Sequence, residues 1–433
     1  MSTRQVIVVV GAGVIGVTTA HALLDEGHEV VLLEAAPAAA RGTSQANGGF
    51  VSAGFCAPWA MPGLKRQILS ALVKRDAPIR WRPDGSWSQL RWLRDLFAHC
   101  KAPIFADHRQ RMVRLALLSQ AQLRKTLDRT ALALDFQASG VLQILRQRPE
   151  QQMLDQRLEA LQALGINACW YESDQVRALE PFLSPTVSLA GGLYVQDDAH
   201  GDCEQFVQGL LAWNIQRGLK FEPGVRIDAL DLDRSARQLR AVRSGTRRWD
   251  AQAFVFATGV QSTALLRPAL KLPVVPVKGY SVTLTVETNQ GATGAIIDEA
   301  SKLAIARMGG RIRLAGGAEL VGHDLKVDEQ RCDQLIGQYE ALYGPVSRSQ
   351  ASFWSGLRPM TPDSTPIIGA TPVRGLYLNV GHGTYGWTLA CGSAQLLADS
   401  LAGRPAALDL ADYALDRSAH QGRRASQARA SFT

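Results

Sequence analysis

The chain has 433 residues, enough for two domains that each bury a core. Hydrophobic residues make up 46% and charged residues 20%, which excludes disordered and fibrous classes. The formal net charge is +8, yet no nucleic-acid recognition motif accompanies it and no uninterrupted apolar run reaches the roughly 20 residues of a membrane span.

Residues 6–10 form a continuous β-branched run, the pattern of a strand buried on both faces of a parallel sheet. Gly11, Gly13 and Gly16 follow in G-x-G-x-x-G spacing. Gly11 allows a tight turn, Gly13 lets backbone approach a pyrophosphate, and Gly16 lets helix and strand pack closely. A helix is predicted from about Val14, Ile15 and Gly16 to residue 26, with its free N–H groups and positive dipole end toward the phosphates. Gly27 ends it and 29–33 reads as a second strand. Glu34 then stands about twenty residues past the glycines, where a carboxylate accepts hydrogen bonds from an adenosine ribose. The same start breaks the first apolar run at Gly11, so no cleavable signal is expected.

The small-residue stretch 35–49 carries Thr43, Ser44 and Asn47, expected to cap and start a short helix. Prolines at 58, 62, 78 and 83 break the next segment into loops. Between Lys65 and Arg114 basic residues far outnumber acids, and Trp81, Trp87 and Trp92 are interleaved, with Trp59 just before. Such a segment is either an interfacial surface for anionic lipid or a solvated basic face over core tryptophans. Helices are predicted over 89–99 and 107–127, a strand over 140–145, a helix over 149–164 and a strand over 191–195. Asp197, Asp198 and Asp84 read as ordinary loop acids.

A second block begins at Gly201-Asp202 with a helix over 203–217. Strands are predicted over 220–221, 224–232, 239–243 and 249–257, the last entering the Ala257-Thr258-Gly259 turn, whose small residues suit close approach of a cofactor. Residues 273–286 read as strand, and 307–315 and 322–343 return to strand and helix. Near the C-terminus Gly356-Leu357-Arg358-Pro359 precedes Asp363. A strand over 376–380 then enters the turn Gly381-His382-Gly383-Thr384-Tyr385-Gly386, followed by a helix over 388–401. This second strand, turn and helix offers another helix N-terminus to an electron-rich group. The Arg-bearing tail from residue 417 reads as disordered. Six cysteines are scattered without C-x-x-C or a His/Cys cluster, so reduced thiols are expected, with no disulfide framework and no metal site. Cytoplasmic location is the default, with peripheral contact on the inner face of the cell membrane if the basic segment is interfacial.

Together, the N-terminal fingerprint, residues 43–47, Ala57-Pro58-Trp59-Ala60, Gly201-Asp202-Cys203, Lys278-Gly279-Tyr280-Ser281, 356–363 and 381–384 resemble the FAD-dependent D-amino-acid dehydrogenases (small subunit). These belong to the glycine/D-amino-acid oxidase group of flavoproteins. The resemblance runs from residue 6 to about 401. It implies FAD as cofactor and an α/β (α+β) fold. An FAD-binding Rossmann-like domain (1–55, 200–272 and 352–412) would be interleaved with a substrate domain on an antiparallel or mixed sheet (56–199 and 273–351), leaving 413–433 as a tail. FAD contacts are then expected at Gly11, Gly13, Val14, Ile15, Gly16, Glu34, Ser44, Asn47, Gly48, Ala257, Gly259, Gly381, His382, Gly383 and Thr384. The chain departs from the family where Gln, Tyr and Leu usually stand, with Phe50, Phe55 and Tyr385.

An amino-acid substrate needs its carboxylate held and its Cα–H aimed at flavin N5. A planar guanidinium matches a carboxylate best, and Arg358 is the candidate by resemblance, against an Arg358–Asp363 structural clamp. Tyr280 is a second contact or a core tyrosine, and His382 faces the flavin edge or bonds backbone. Phe50, Phe55, Tyr280, Arg358 and Tyr385 are the expected substrate pocket. No obligatory general base is required, because the flavin supplies the hard chemistry. The expected reaction is oxidative deamination of D-amino acids to 2-oxo acids and ammonia, electrons passing to a quinone or another acceptor. The alternatives are a secondary amine or cyclic imino acid (D-proline, hydroxyproline or N-methyl type) as substrate, and a flavin-binding subunit that needs a partner for turnover. No nucleic-acid partner is expected.

Overall fold

A computed structural model of the chain describes residues 4–71, 79–82, 87–287 and 289–417. The predicted tail beyond 417, Asp84, and the basic residues at 74 and 75 lie outside the described residues.

The strand Val6–Val10 is the centre of a six-stranded sheet. Glu29–Glu34 and Ala253–Phe256 pair with it in parallel on either side. Lys220–Pro223 extends one edge and Leu376–Val380 the other, both parallel, and Ile367–Ala370 closes the second edge antiparallel. Strands buried on both faces explain the unbroken Val/Ile and Phe/Val runs. The helices Val14–Asp25, Cys203–Gln216 and Gly386–Ala402 cover one face. The 29-residue helix Ala102–Thr130 packs against Gly386–Ala402, so this part of the segment expected in the substrate domain shares the core of the nucleotide-type sheet. Its apolar face, with Met112, Leu115, Ala116 and Leu123, is buried in that shared core.

The second large sheet has nine strands and is mixed. The long strands Val275–Thr285, Arg311–Leu320 and Ser352–Met360 run antiparallel and form one half. The helix Glu329–Tyr343 covers one face through Cys332, Leu335, Ile336 and Tyr339. The other face looks toward the six-stranded sheet, as Ser281 Oγ shows by donating to the Ala46 carbonyl at 2.7 Å.

Several predicted elements differ. Residues 43–47 form a turn, because Ser44 Oγ is committed to the N–H of Val14 and caps the first long helix instead of starting its own. The predicted strand 249–257 splits. Arg247–Asp250 joins a small antiparallel sheet and Ala253–Phe256 enters the six-stranded one. Residues 224–228 run as loop before the strand Ala229–Asp233. Near the end of the described residues, Tyr413 is buried with its hydroxyl donating to the Arg111 carbonyl, so residues 413–417 pack on the fold instead of forming a free tail.

Candidate active site

A cavity of about 1230 Å³ lies between the two large sheets. At one end are the carboxyl ends of the parallel strands, the place where open α/β sheets bind ligands. Gly11, Gly13, Val14, Ile15 and Glu34 line it there, with Ser44, Asn47, Gly48, Ala257 and Gly259. Gly16 does not line the cavity. A Cβ at 16 would collide with the Gly11 carbonyl, so this glycine serves helix–strand contact. Gly11 has φ +100°, and its Cβ would press on the Ala257 carbonyl. Glu34 Oε2 accepts from the Ala12 N–H at 2.6 Å and Oε1 from the Ala36 N–H at 2.8 Å, which holds the turn and keeps the carboxylate at the cavity wall. Val225, Arg226 and Ile227, which the sequence reading placed in a strand, also line this end.

The middle of the cavity is bounded by the turn 381–385, where Gly381, His382, Gly383, Thr384 and Tyr385 all contribute. Asn379 Oδ1, His382 Nε2 and Trp387 Nε1 are buried there without a hydrogen-bond partner among the described residues. Unmet buried polar atoms of this kind cost roughly 1–3 kcal/mol each, so a wall carrying three fits a ligand with polar groups of its own. Burial pushes His382 down to about 3, and the imidazole is neutral at physiological pH.

At the far end Arg358 enters the cavity from the strand Ser352–Met360. Its guanidinium lies against Gly279, where any side chain would displace it, and one nitrogen donates to the Gly317 carbonyl at 2.9 Å. Among the described residues it has no acidic partner. Burial pulls it down to about 10, still a cation at neutral pH, with the Tyr385 hydroxyl nearby working the other way. The alternative clamp is excluded, because Asp363 is bound bidentately by Arg417, at 2.6 and 2.7 Å. Phe50, Phe55, Trp59 and Trp354 make the neighbouring wall largely apolar, and the Tyr385 hydroxyl donates to the Phe55 carbonyl at 3.0 Å. Tyr280 contributes to the wall, but its hydroxyl donates to Glu319 at 2.9 Å and its ring belongs to the core under the helix Glu329–Tyr343. The core reading of Tyr280 is the one this geometry carries. The tryptophans at 59 and 354 had no local periodicity to mark them as site residues. Trp59 does stand in the Ala57-Pro58-Trp59-Ala60 segment that carries the resemblance, and Trp354 lies two residues before Gly356.

Asp198 corrects the reading of it as an ordinary loop acid. It is 1% exposed and gathers hydrogen bonds from residues 52–54 and Gln120.

The sequence and the fold are matched by known proteins. The model of the FAD dependent oxidoreductase family matches residues 7–400, and the chain belongs to that family. It is 40% identical to a D-amino acid dehydrogenase of Cereibacter sphaeroides over 423 residues, 97% of each chain. A D-amino acid dehydrogenase of Neisseria meningitidis is 39% identical, covering 95% of this chain and 99% of its own. The fold is that of glycine oxidase from Geobacillus kaustophilus, with TM-score 0.74 at 22% identity over 96% of this chain and 99% of the other. L-proline dehydrogenase from P. horikoshii gives TM-score 0.75 at 16% identity, over 97% and 99%. The protein is an FAD-dependent oxidoreductase. The glycine turns, the Glu34 carboxylate, the helix N-terminus at Val14 and the unmet atoms of the 379–387 wall are suited to hold FAD.

Proposed function

We propose that the protein oxidises D-amino acids to 2-oxo acids and ammonia. The observation that carries this reading is Arg358, a half-buried cation that faces the cavity with, among the described residues, only backbone carbonyls as partners. A carboxylate brought to it completes a charge pair and satisfies donors that the protein leaves free. The two relatives at about 40% identity bear the name D-amino acid dehydrogenase, which supports the same substrate class. FAD, when bound, accepts the hydride from the substrate's Cα. The chain's own work is to hold the carboxylate at Arg358 and to enclose the substrate between Phe50, Phe55 and Tyr385. The neutral His382 and the apolar wall add no competing charge.

The test is an anaerobic screen of D-amino acids, with L-enantiomers as controls, following bleaching of the bound flavin. Bleaching by the D series alone supports the reading, and bleaching by neither series overturns it. A second reading keeps the chemistry and takes a secondary amine or cyclic imino acid. Phe50 and Phe55 in the cavity wall favour it, because they make the substrate end less polar than Gln and Tyr would. D-proline and N-methyl amino acids in the same screen separate the two. A subunit that depends on a partner for turnover would bleach with none of these, and the retained Arg358 weighs against it.

The acceptor is proposed to be a quinone, reached through peripheral contact of the basic segment with the membrane. Trp87 is 81% and Leu90 48% exposed on the helix Trp87–Ala98, next to Arg91 and Arg94. Trp92 is instead buried and donates to the Met360 carbonyl, and Arg111 is paired with Asp107 and Asp412. Only part of the segment is therefore offered to a surface. Among the described residues no helix is long and apolar enough to cross a membrane. Sedimentation with anionic vesicles at low and high salt checks the contact, which weakens with salt if it is electrostatic.

A further inference from the structure

The segment that carries Phe50 and Phe55 is held from outside the cavity by one buried carboxylate. Asp198 lies in the turn between the strands Gly191–Val195 and Ala199–Gly201 and does not line the cavity. Its Oδ2 accepts from the Ser52 hydroxyl at 2.5 Å. Its Oδ1 accepts from the Ala53 N–H at 2.8 Å and from Gln120 Nε2 at 3.1 Å. The Gly54 N–H reaches both oxygens at 3.3–3.4 Å. The Ser52 hydroxyl oxygen in turn accepts from the Phe55 N–H at 3.2 Å. On the other side, the Ser52 N–H donates to Thr388 Oγ1 and the Thr388 hydroxyl to the Phe50 carbonyl. Residues 50–55 are thus strung between Asp198 and the helix Gly386–Ala402.

Every donor to this carboxylate is neutral, and among the described residues no cation pairs with it. We infer that Asp198 is a positioning residue for the substrate end of the cavity. Its negative charge gathers the backbone and hydroxyl of residues 52–54 and thereby sets Phe50 and Phe55 against Tyr385, which decides how a substrate fits beside Arg358. This inference rests on the reading of Arg358 as the substrate's anchor.

The choice of a carboxylate follows from the donor count. Four groups converge on two oxygens, and a carboxylate has acceptor sites for all of them and no donor of its own. An asparagine would place an NH₂ against the Ser52 or Gly54 donors. Protonation creates a similar mismatch, and burial pushes Asp198 up to about 6 even though all its hydrogen bonds favour the charged form. The other titratable groups around it are few. The Cys56 thiol is pushed up by burial and stays neutral, and Arg109 sits beyond it on the helix Ala102–Thr130. Arg124 of that helix donates to the Asp197 carbonyl, and the Asp197 carboxylate is held by Asn167. The Tyr385 hydroxyl is pushed up and remains protonated.

The experiment compares wild-type holoenzyme with Asp198→Asn and Ser52→Ala, using whichever amine or amino acid bleaches the wild-type flavin most readily. Asp198→Asn should retain FAD and raise KM roughly tenfold, the worth of about one hydrogen bond to a charged group, with a smaller change in kcat. The wild-type profile of kcat/KM should fall on the acid side with a midpoint near pH 6, and Asp198→Asn should lose that limb. Ser52→Ala should raise KM in the same direction and keep the limb. An Asp198→Asn enzyme with wild-type KM and an unchanged acid limb overturns the inference alone. If Asp198→Asn does not accumulate as holoenzyme, an unchanged KM in Ser52→Ala overturns it instead. A wild-type flavin that no candidate reduces overturns the functional reading, and this inference falls with it.

Discussion

Arg358 and Asp363 lie five positions apart on one strand and the loop that follows it, and their surroundings treat charge in opposite ways. Asp363 is buried beneath the C-terminal segment, where Arg417 binds both its oxygens and also donates to the Thr365 carbonyl. That pairing holds the Asp363 carboxyl well below the usual carboxylate range against the upward push of burial. Arg358 is half-buried and, among the described residues, meets only the carbonyls of Lys278 and Gly317. One charge is completed within the chain and the other is left for a ligand. Burial alone does not distinguish a structural charge from a functional one. The identity of the partner does.

Asp363→Asn tests the completed pair and should have the largest effect. It strands the Arg417 guanidinium in the interior, and removing one partner of a buried pair costs about 3–5 kcal/mol of stability. Thermal unfolding should show it as a much lower midpoint. A variant that also replaces Arg417 with Met should regain much of the loss, whereas additive losses would break the comparison.

Arg358→Leu tests the incomplete charge, and its effect should appear in affinity rather than stability. Removing a half-buried cation that has no acidic partner among the described residues should leave thermal stability about level or higher. Apparent substrate affinity should fall by orders of magnitude, because losing a charge-paired contact costs roughly 2–5 kcal/mol. Arg358→Lys should recover part of it, keeping the charge without the fork. Near-normal steady-state kinetics in the Leu variant would remove Arg358 as the clamp.

Glu34 stands between these extremes, since two backbone N–H groups meet its carboxylate while it still lines the cavity. Glu34→Ala should lower the flavin-to-protein ratio on dilution and also lower thermal stability, because it frees the Ala12 and Ala36 N–H groups that the carboxylate holds. Each hydrogen bond to such a charged group is worth about 1.5–3 kcal/mol. A wild-type ratio after dilution would contradict its role.

The smallest effect is in the pH dependence, where the two buried aspartates should move in opposite directions. Asp363 has a depressed folded value, so it contributes stability above the unfolded value of about 3.9 and loses it as pH falls further. Asp198 has a raised one, so its burial costs stability as pH rises from about 3.9 to about 6. In thermal melts, the deficit of Asp363→Asn should shrink below pH 4. Asp198→Asn should gain on wild type between pH 4 and 6. The same sign for both would show that burial outweighs partner identity after all.

The nucleotide end of the cavity was legible in residues 6–34, because everything there is local. A β-branched run makes a doubly buried strand, positive-φ and close-contact glycines shape the turn, and Glu34 ends the next strand. The second glycine turn at 381–386 was legible for the same reason. The periods of helices 203–216 and 386–402 also survive, since each buries one face against a continuous layer. Local pattern misled where a distant group claimed the residue. Ser44 had a helix-capping signature, but the N–H of Val14 took its hydroxyl. The run 249–257 had strand character throughout, but two different sheets recruited its halves. Asp198 looked like a loop acid because its donors lie nearly 150 positions away, at 52–54. Residues 413–417 looked like tail because Asp363 is 54 positions from Arg417. Composition and spacing determined which residue types were present, and with them the glycine turns and the strands and helices beside them. Which charges were paired and which was left open depended on contacts between segments remote in sequence. Only the packing of one sheet against the other brings those segments within hydrogen-bonding distance.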